Sequence, residues 1–171
     1  MAKLTLPPAH RRVGEALQAL FAAKGAQGYL VGGYVRNLLL GLPPADLDIA
    51  SALLPEEVVQ AAAAAGFPEA RIVNARLGTV LLQMGGEKIE HTTFRRESYA
   101  AGGGHTPARV EIGATLLEDA LRRDFAVNAL YMRLTDGEVL DPTGRGLADI
   151  AARRLRSARA CAAEMIRDDA L

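Results

Sequence analysis

The sequence has no tryptophan, a single cysteine, and only 5% aromatic residues among its 171. One cysteine, Cys161, rules out an internal disulfide framework, and no Cys/His spacing resembles a zinc site. A reducing, cytoplasmic setting is the expectation. So few aromatics leave few platforms on which single-stranded bases could stack. An excess of charge is missing as well, because twenty Lys and Arg offset twenty Asp and Glu. Bulk positive charge therefore cannot hold a nucleic acid, and any such contact must be local. No uninterrupted apolar run reaches about 18 residues, and the start lacks the apolar stretch of a signal peptide, so neither a membrane span nor secretion is expected. What is present is a 50% hydrophobic chain of a length that suits one core.

Apolar spacing predicts a helix over 10–24 ending at Gly25. A short strand, Gly28 to Val31, then stops at Gly32-Gly33, and a helix over 34–40 follows. Asp46 to Ile49 alternates polar with apolar, as a half-buried strand does. Pro55 opens an alanine-rich helix to about Ala65. Three strands are expected over 71–73, 79–84 and 88–94, the last two joined by Gly85-Gly86 as a hairpin. Between Arg95 and Arg109 three glycines and no apolar period predict a mobile loop. Thr115 and Glu118 form a capping-box pattern ahead of a helix to Arg123, and Glu138 to Leu140 is a short strand. From Leu147 onward the composition is helical, so 1–146 is taken as one domain and 147–171 as the start of a helical one.

Three groups of residues could carry chemistry. Gly32-Gly33 at a strand end, with Arg36 just beyond, places backbone N–H groups and a guanidinium where a phosphate chain could sit. The same pair also reads as a tight turn needing positive φ. Asp46 and Asp48, two apart on a strand, point to one side, and their mutual repulsion is relieved by a divalent cation. Oxygen-only ligation favours Mg²⁺ over Zn²⁺, although two solvated aspartates at a strand end fit the pattern too. Glu90 could add a third carboxylate if its strand neighbours the first. Arg122-Arg123-Asp124, with Asn128 beyond, either offsets a helix dipole or contacts a nucleotide through its phosphates and ribose. Arg153, Arg154, Arg156 and Arg159 read as a solvated helix face, with an RNA-backbone contact as the alternative.

The runs YLVGGYVRNLLLGLPPADLDIA, IEHTTFRRE, LLEDALRRDFAVNALYM and DPTGRGLADIAARRLR together resemble the head of the class II tRNA nucleotidyltransferase and bacterial poly(A) polymerase family, over roughly 29–171. The resemblance implies an α/β fold of the polymerase-β-like nucleotidyltransferase type, a small mixed sheet backed by helices. It implies template-independent addition of CMP and AMP from CTP and ATP to a tRNA 3′ end, using two Mg²⁺ ions and releasing pyrophosphate. Gly32 and Gly33 would hold the triphosphate, Arg36 and Arg123 its charges, Asp46 and Asp48 the metal ions, and Asp124 the ribose. Two features depart from the family. Asn37 stands where an Asp usually follows the arginine. The ending IRDDAL supplies the acidic pair Asp168 and Asp169 of the nucleotide-selecting motif, while its arginine would fall beyond Leu171, as in a truncated piece. A poly(A) polymerase, or a nucleotide-binding module that has lost transfer, are the alternatives.

Overall fold

The computed structural model describes residues 2–98 and 109–159. Cys161, Asp168, Asp169 and the glycine triplet of the expected mobile loop lie outside the described residues. Nine strands and five α-helices are formed among those described: α1 (Arg11–Ala23), β1 (Gly28–Val31), α2 (Gly33–Leu39), β2 (Leu47–Ser51), α3 (Pro55–Ala62), β3 (Arg71–Asn74), β4 (Thr79–Met84), β5 (Glu87–Thr93), β6 (Arg95–Ser98), β7 (Arg109–Ile112), α4 (Leu116–Leu121), β8 (Tyr131–Arg133), β9 (Val139–Leu140) and α5 (Gly146–Ala151). Seven strands make one mixed sheet in the order β3-β4-β5-β2-β1-β8-β9, and β6 pairs with β7 apart from it. Within the large sheet β2 and β5 run parallel, and the other pairings are antiparallel.

Strand side chains alternate between the two faces of this sheet, and the faces differ in character. Leu30, Leu47, Ile49, Val80, Leu82, Ile89 and Met132 join Leu17, Leu20 and Phe21 of α1, Tyr34 and Val35 of α2, and Val58 of α3 in the main core. The opposite face carries a smaller apolar cluster of Val31, Ala50, Phe94, Ala120, Ala129, Tyr131 and Ala158. Asp48 lies two residues from Ala50 on β2 and is opposite Glu90 of β5 in register. Both acidic residues therefore belong to the thinly covered face. The intervening His91 turns inward, fully buried, with Nε2 2.8 Å from Ser51 Oγ.

Two segments differ from the sequence expectation. The ends of the expected loop zip together as β6 and β7, in register Arg95↔Ile112 through Ser98↔Arg109. Its pairing rests on complementary charge, since Arg96 bonds Glu111 across the ribbon, and charge leaves no apolar period to read. Among the described residues, the helical composition that begins near Leu147 sustains only the six residues of α5. Arg153 takes positive φ (49°), and the Arg156 guanidinium returns to the buried Asp149 at 2.8 and 3.0 Å. Ser157 then pairs with Phe125 as an isolated bridge. Tertiary pairing overrides helix propensity there, and the four basic residues do not form a helix face.

Candidate active site

The centre of the site is the turn between β1 and α2. Gly32 adopts φ 68° and ψ −139°, a region closed to residues with a Cβ, so glycine here is a backbone requirement. A Cβ built on it would lie 3.7 Å from Arg123 Nη1 and 3.7 Å from Asp48 Oδ2. Turn, guanidinium and carboxylate thus converge on one point. Beside it is a cavity of about 220 Å³, whose walls include Asp48, Glu90, Thr79, Thr92, Arg95, Arg122 and Arg123.

Electrostatics in this cavity oppose ionisation of Asp48. Partial burial, then Glu90, push its carboxyl up to about 6; Asp46 adds to the rise and Arg123 works against it. Asp46 is near enough to repel Asp48, yet it is not on the strand. It sits exposed before β2, in a three-residue turn where the Asp48 N–H donates to Asp46 O at 3.1 Å. Its side chain lines a separate depression with His10, Glu87 and Lys88. Among the described residues no group of three or more His, Cys, Asp or Glu is placed to hold a metal ion alone. That donor set fits Mg²⁺ of the kind held by one or two carboxylates together with substrate phosphates, which supply the remaining oxygens.

Arg36 on α2 is fixed from both sides. Its Nε and Nη2 donate to Asn37 Oδ1 at 3.2 and 3.0 Å, and its Nη1 donates to Asn128 Oδ1 at 2.6 Å. Asn37 Nδ2 is itself anchored on Pro43 O at 2.9 Å. The residue that departs from the family therefore still orients Arg36, as a neutral acceptor. Asn128 Nδ2 reaches Asp124 Oδ1 at 3.2 Å, and Asp124 Oδ1 also accepts the Phe125 N–H at 2.7 Å. Asp124, exposed, is thereby linked through Asn128 to Arg36. Gly33 packs under this arginine, its would-be Cβ 3.4 Å from Arg36 Nη2.

Of the residues singled out from sequence, Gly32, Asp48, Glu90 and Arg123 gather at one point, Gly33, Arg36, Asn128 and Asp124 form an adjoining chain, and Asp46 is a near neighbour. Sequence reasoning did not select Arg95, Asp119 or Tyr131. Asp119 was detectable as an acid three and four residues ahead of two arginines on a helix; Tyr131 reaches the site through the large sheet and Arg95 through the β6–β7 ribbon.

A mixed sheet backed by helices, with paired acids beside a glycine turn, is the fold of a nucleotidyltransferase head domain. The chain belongs to the poly A polymerase head domain family, whose model matches residues 28–156. It is 38% identical over 161 residues to a CCA-adding enzyme of Bacillus cytotoxicus, covering 94% of this chain and 38% of that protein. A CCA-adding enzyme of Streptococcus pyogenes is 38% identical over 171 residues, covering 100% of this chain and 40% of that one. The crystal structure of the Bacillus stearothermophilus CCA-adding enzyme in complex with CTP superposes with a TM-score of 0.79 at 33% identity, over 96% of this chain and 37% of that chain. The chain thus spans about two fifths of the length of the curated relatives it matches.

Proposed function

We propose that the chain is the catalytic head of a cytoplasmic tRNA nucleotidyltransferase that adds CMP and AMP, from CTP and ATP, to a tRNA 3′ end. In this reading 1–146 is the head, the residues up to Ala158 pack back on it through the Phe125–Ser157 bridge, and a helical neck domain begins within 147–171. The observation that carries it is the convergence of Gly32, Asp48 and Arg123 Nη1 on one point, with Glu90 in register beside it. Similarity to CCA-adding enzymes favours CCA addition over poly(A) synthesis. Orientation of Arg36 by Asn37 supports a working site over a binding module that has lost transfer. No helix among the described residues is long and apolar enough to cross a membrane.

The reaction joins an RNA 3′-oxygen to the α-phosphorus of the nucleotide as the bond to the β-phosphate oxygen breaks and pyrophosphate leaves. Arg36 and Arg123 bind the triphosphate charges, and the Gly32-Gly33 turn lets the chain of phosphates approach the backbone. Asp124 accepts from a ribose hydroxyl, held in place by Asn128. Asp46 and Asp48 would hold Mg²⁺, with Glu90 supporting; the ions would acidify the attacking hydroxyl and offset charge on the leaving group. Asp169 would serve base selection. Asp46→Ala and Asp48→Ala test the reading by incorporation of labelled CTP and ATP into tRNA lacking its CCA end. Loss of nearly all transfer is expected; transfer within about tenfold of the parent would refute it.

A further inference from the structure

Arg123 is the cation nearest the convergence point, and something must aim it, because an arginine side chain is long and has many rotamers. Two of its three guanidinium nitrogens are occupied by buried partners: Nε donates to Tyr131 Oη at 3.1 Å, and Nη2 meets Asp119 Oδ2 at 3.3 Å. The guanidinium carbon also lies 5.3 Å from the centre of the Tyr131 ring. Nη1 makes no hydrogen bond among the described residues and is the nitrogen facing Gly32 and Asp48. The two partners are themselves joined, with Tyr131 Oη donating to Asp119 Oδ2 at 2.6 Å.

Asp119 is fully buried. Burial alone would raise its carboxyl, yet Arg122, Arg123 and the Tyr131 hydroxyl outweigh that and hold it below the usual range, so it stays ionised. Its Oδ1 takes the Arg122 Nε at 2.8 Å and the Arg95 backbone N–H at 3.2 Å. Four donors, two from the residues that follow α4, one from β8 and one from the first residue of β6, thus meet on one carboxylate. An ion pair whose only role was stability would gain little from this arrangement over an apolar substitute of the same volume. It does fix a register between three elements and one guanidinium.

We propose that Asp119 and Tyr131 are positioning residues, which aim Arg123 Nη1 at the phosphates of the bound nucleotide. The inference rests on the proposed function and deepens it. The Tyr131 hydroxyl touches no substrate in this scheme; it acts through Arg123. Its contribution to nucleotide binding therefore exists only while Arg123 is present.

A double-mutant cycle on the 171-residue chain tests this, using calorimetric titration with ATP in the presence of Mg²⁺ for Tyr131→Phe, Arg123→Gln and the double variant. Tyr131→Phe keeps the ring under the guanidinium and the apolar packing, so the fold is retained, which circular dichroism verifies. It should weaken ATP binding about fivefold, roughly the net worth of one ordinary hydrogen bond. Arg123→Gln should weaken it more, and the double variant should bind no worse than Arg123→Gln. Asp119→Asn, where it folds, should repeat the Tyr131→Phe effect. Additive losses, or unchanged affinity in Tyr131→Phe, would overturn the positioning role and leave the proposed function standing. Absence of Mg²⁺-dependent ATP binding in the unaltered chain would overturn the proposed function and this inference together.

Discussion

Asp48 is held in a form that the isolated fold resists. Its folded pKa of about 6 lies above the ordinary 3.8, so the folded chain binds this proton more tightly than the unfolded one. Stability from this group is present below pH 4 and is lost as pH rises through 6. A cation or bound phosphate-metal complex reverses the preference, because it favours the carboxylate. Two opposite movements follow for Asp48→Asn at pH 7.5: a melting temperature higher by about 2–4 °C, and loss of the Mg²⁺-dependent part of nucleotide affinity. Differential scanning calorimetry and titration of the same sample check both, and a lower melting temperature would contradict the first. For the wild type, Mg²⁺-dependent affinity should fall steeply below pH 6 and level off above pH 7, as a pH series of titrations would show. Gly32→Ala, which forces a Cβ to φ 68°, should cost roughly 1–3 kcal/mol in urea unfolding.

At the scale of elements, what was legible in the sequence was what local physics determines. The glycine turn, the Gly85-Gly86 hairpin and the Thr115–Glu118 capping box appear as read, the last with Glu118 N donating to Thr115 Oγ1 at 3.3 Å. Glu90 could be offered only conditionally, since its place beside Asp48 depends on β2 and β5 pairing in parallel between residues 42 positions apart. The β6–β7 ribbon was illegible because ion pairs rather than apolar alternation define it. The end of α5 was illegible because Asp149 and Arg156, seven residues apart, close it through a bond no propensity records. His91 shows the same limit: strand alternation turns it to the face away from Glu90, but only the packed sheet shows it buried against Phe21, ring centres 5.9 Å apart. Burial pushes His91 down to about 3 from 6.5, so it is neutral in the fold. The unfolded chain takes the proton first, and stability is lost as pH falls from 6.5 toward 3. His91→Met should flatten this acid limb, on the order of a few kcal/mol, in urea melts at pH 7 and pH 4.5; an equal slope in both proteins would contradict the buried-neutral assignment.

For the whole molecule, the sheet divides the labour between its faces. One is sealed by α1, α2 and α3 into the main core, and the other leaves Asp48 and Glu90 facing a small cavity that Arg95, Arg122 and Arg123 also line. Contacts proposed for triphosphate, metal and ribose all lie on this scaffold, and none of them reads a base edge. The chain should therefore bind ATP, CTP, GTP and UTP with affinities within about tenfold of one another, roughly 1.4 kcal/mol. Affinity for tRNA should be slight, because net charge is zero.

Calorimetric titration of the four nucleoside triphosphates into the 171-residue chain, with Mg²⁺ and then with excess chelator, beside Asp48→Asn, decides whether Gly32, Asp48 and Arg123 form a metal-nucleotide site. All four should bind more tightly with Mg²⁺ than with chelator, and that gain should disappear with the Asp48 carboxylate. Binding that is indifferent to Mg²⁺, or that survives unchanged in Asp48→Asn, would show that the convergence of Gly32, Asp48 and Arg123 is not a metal-nucleotide site.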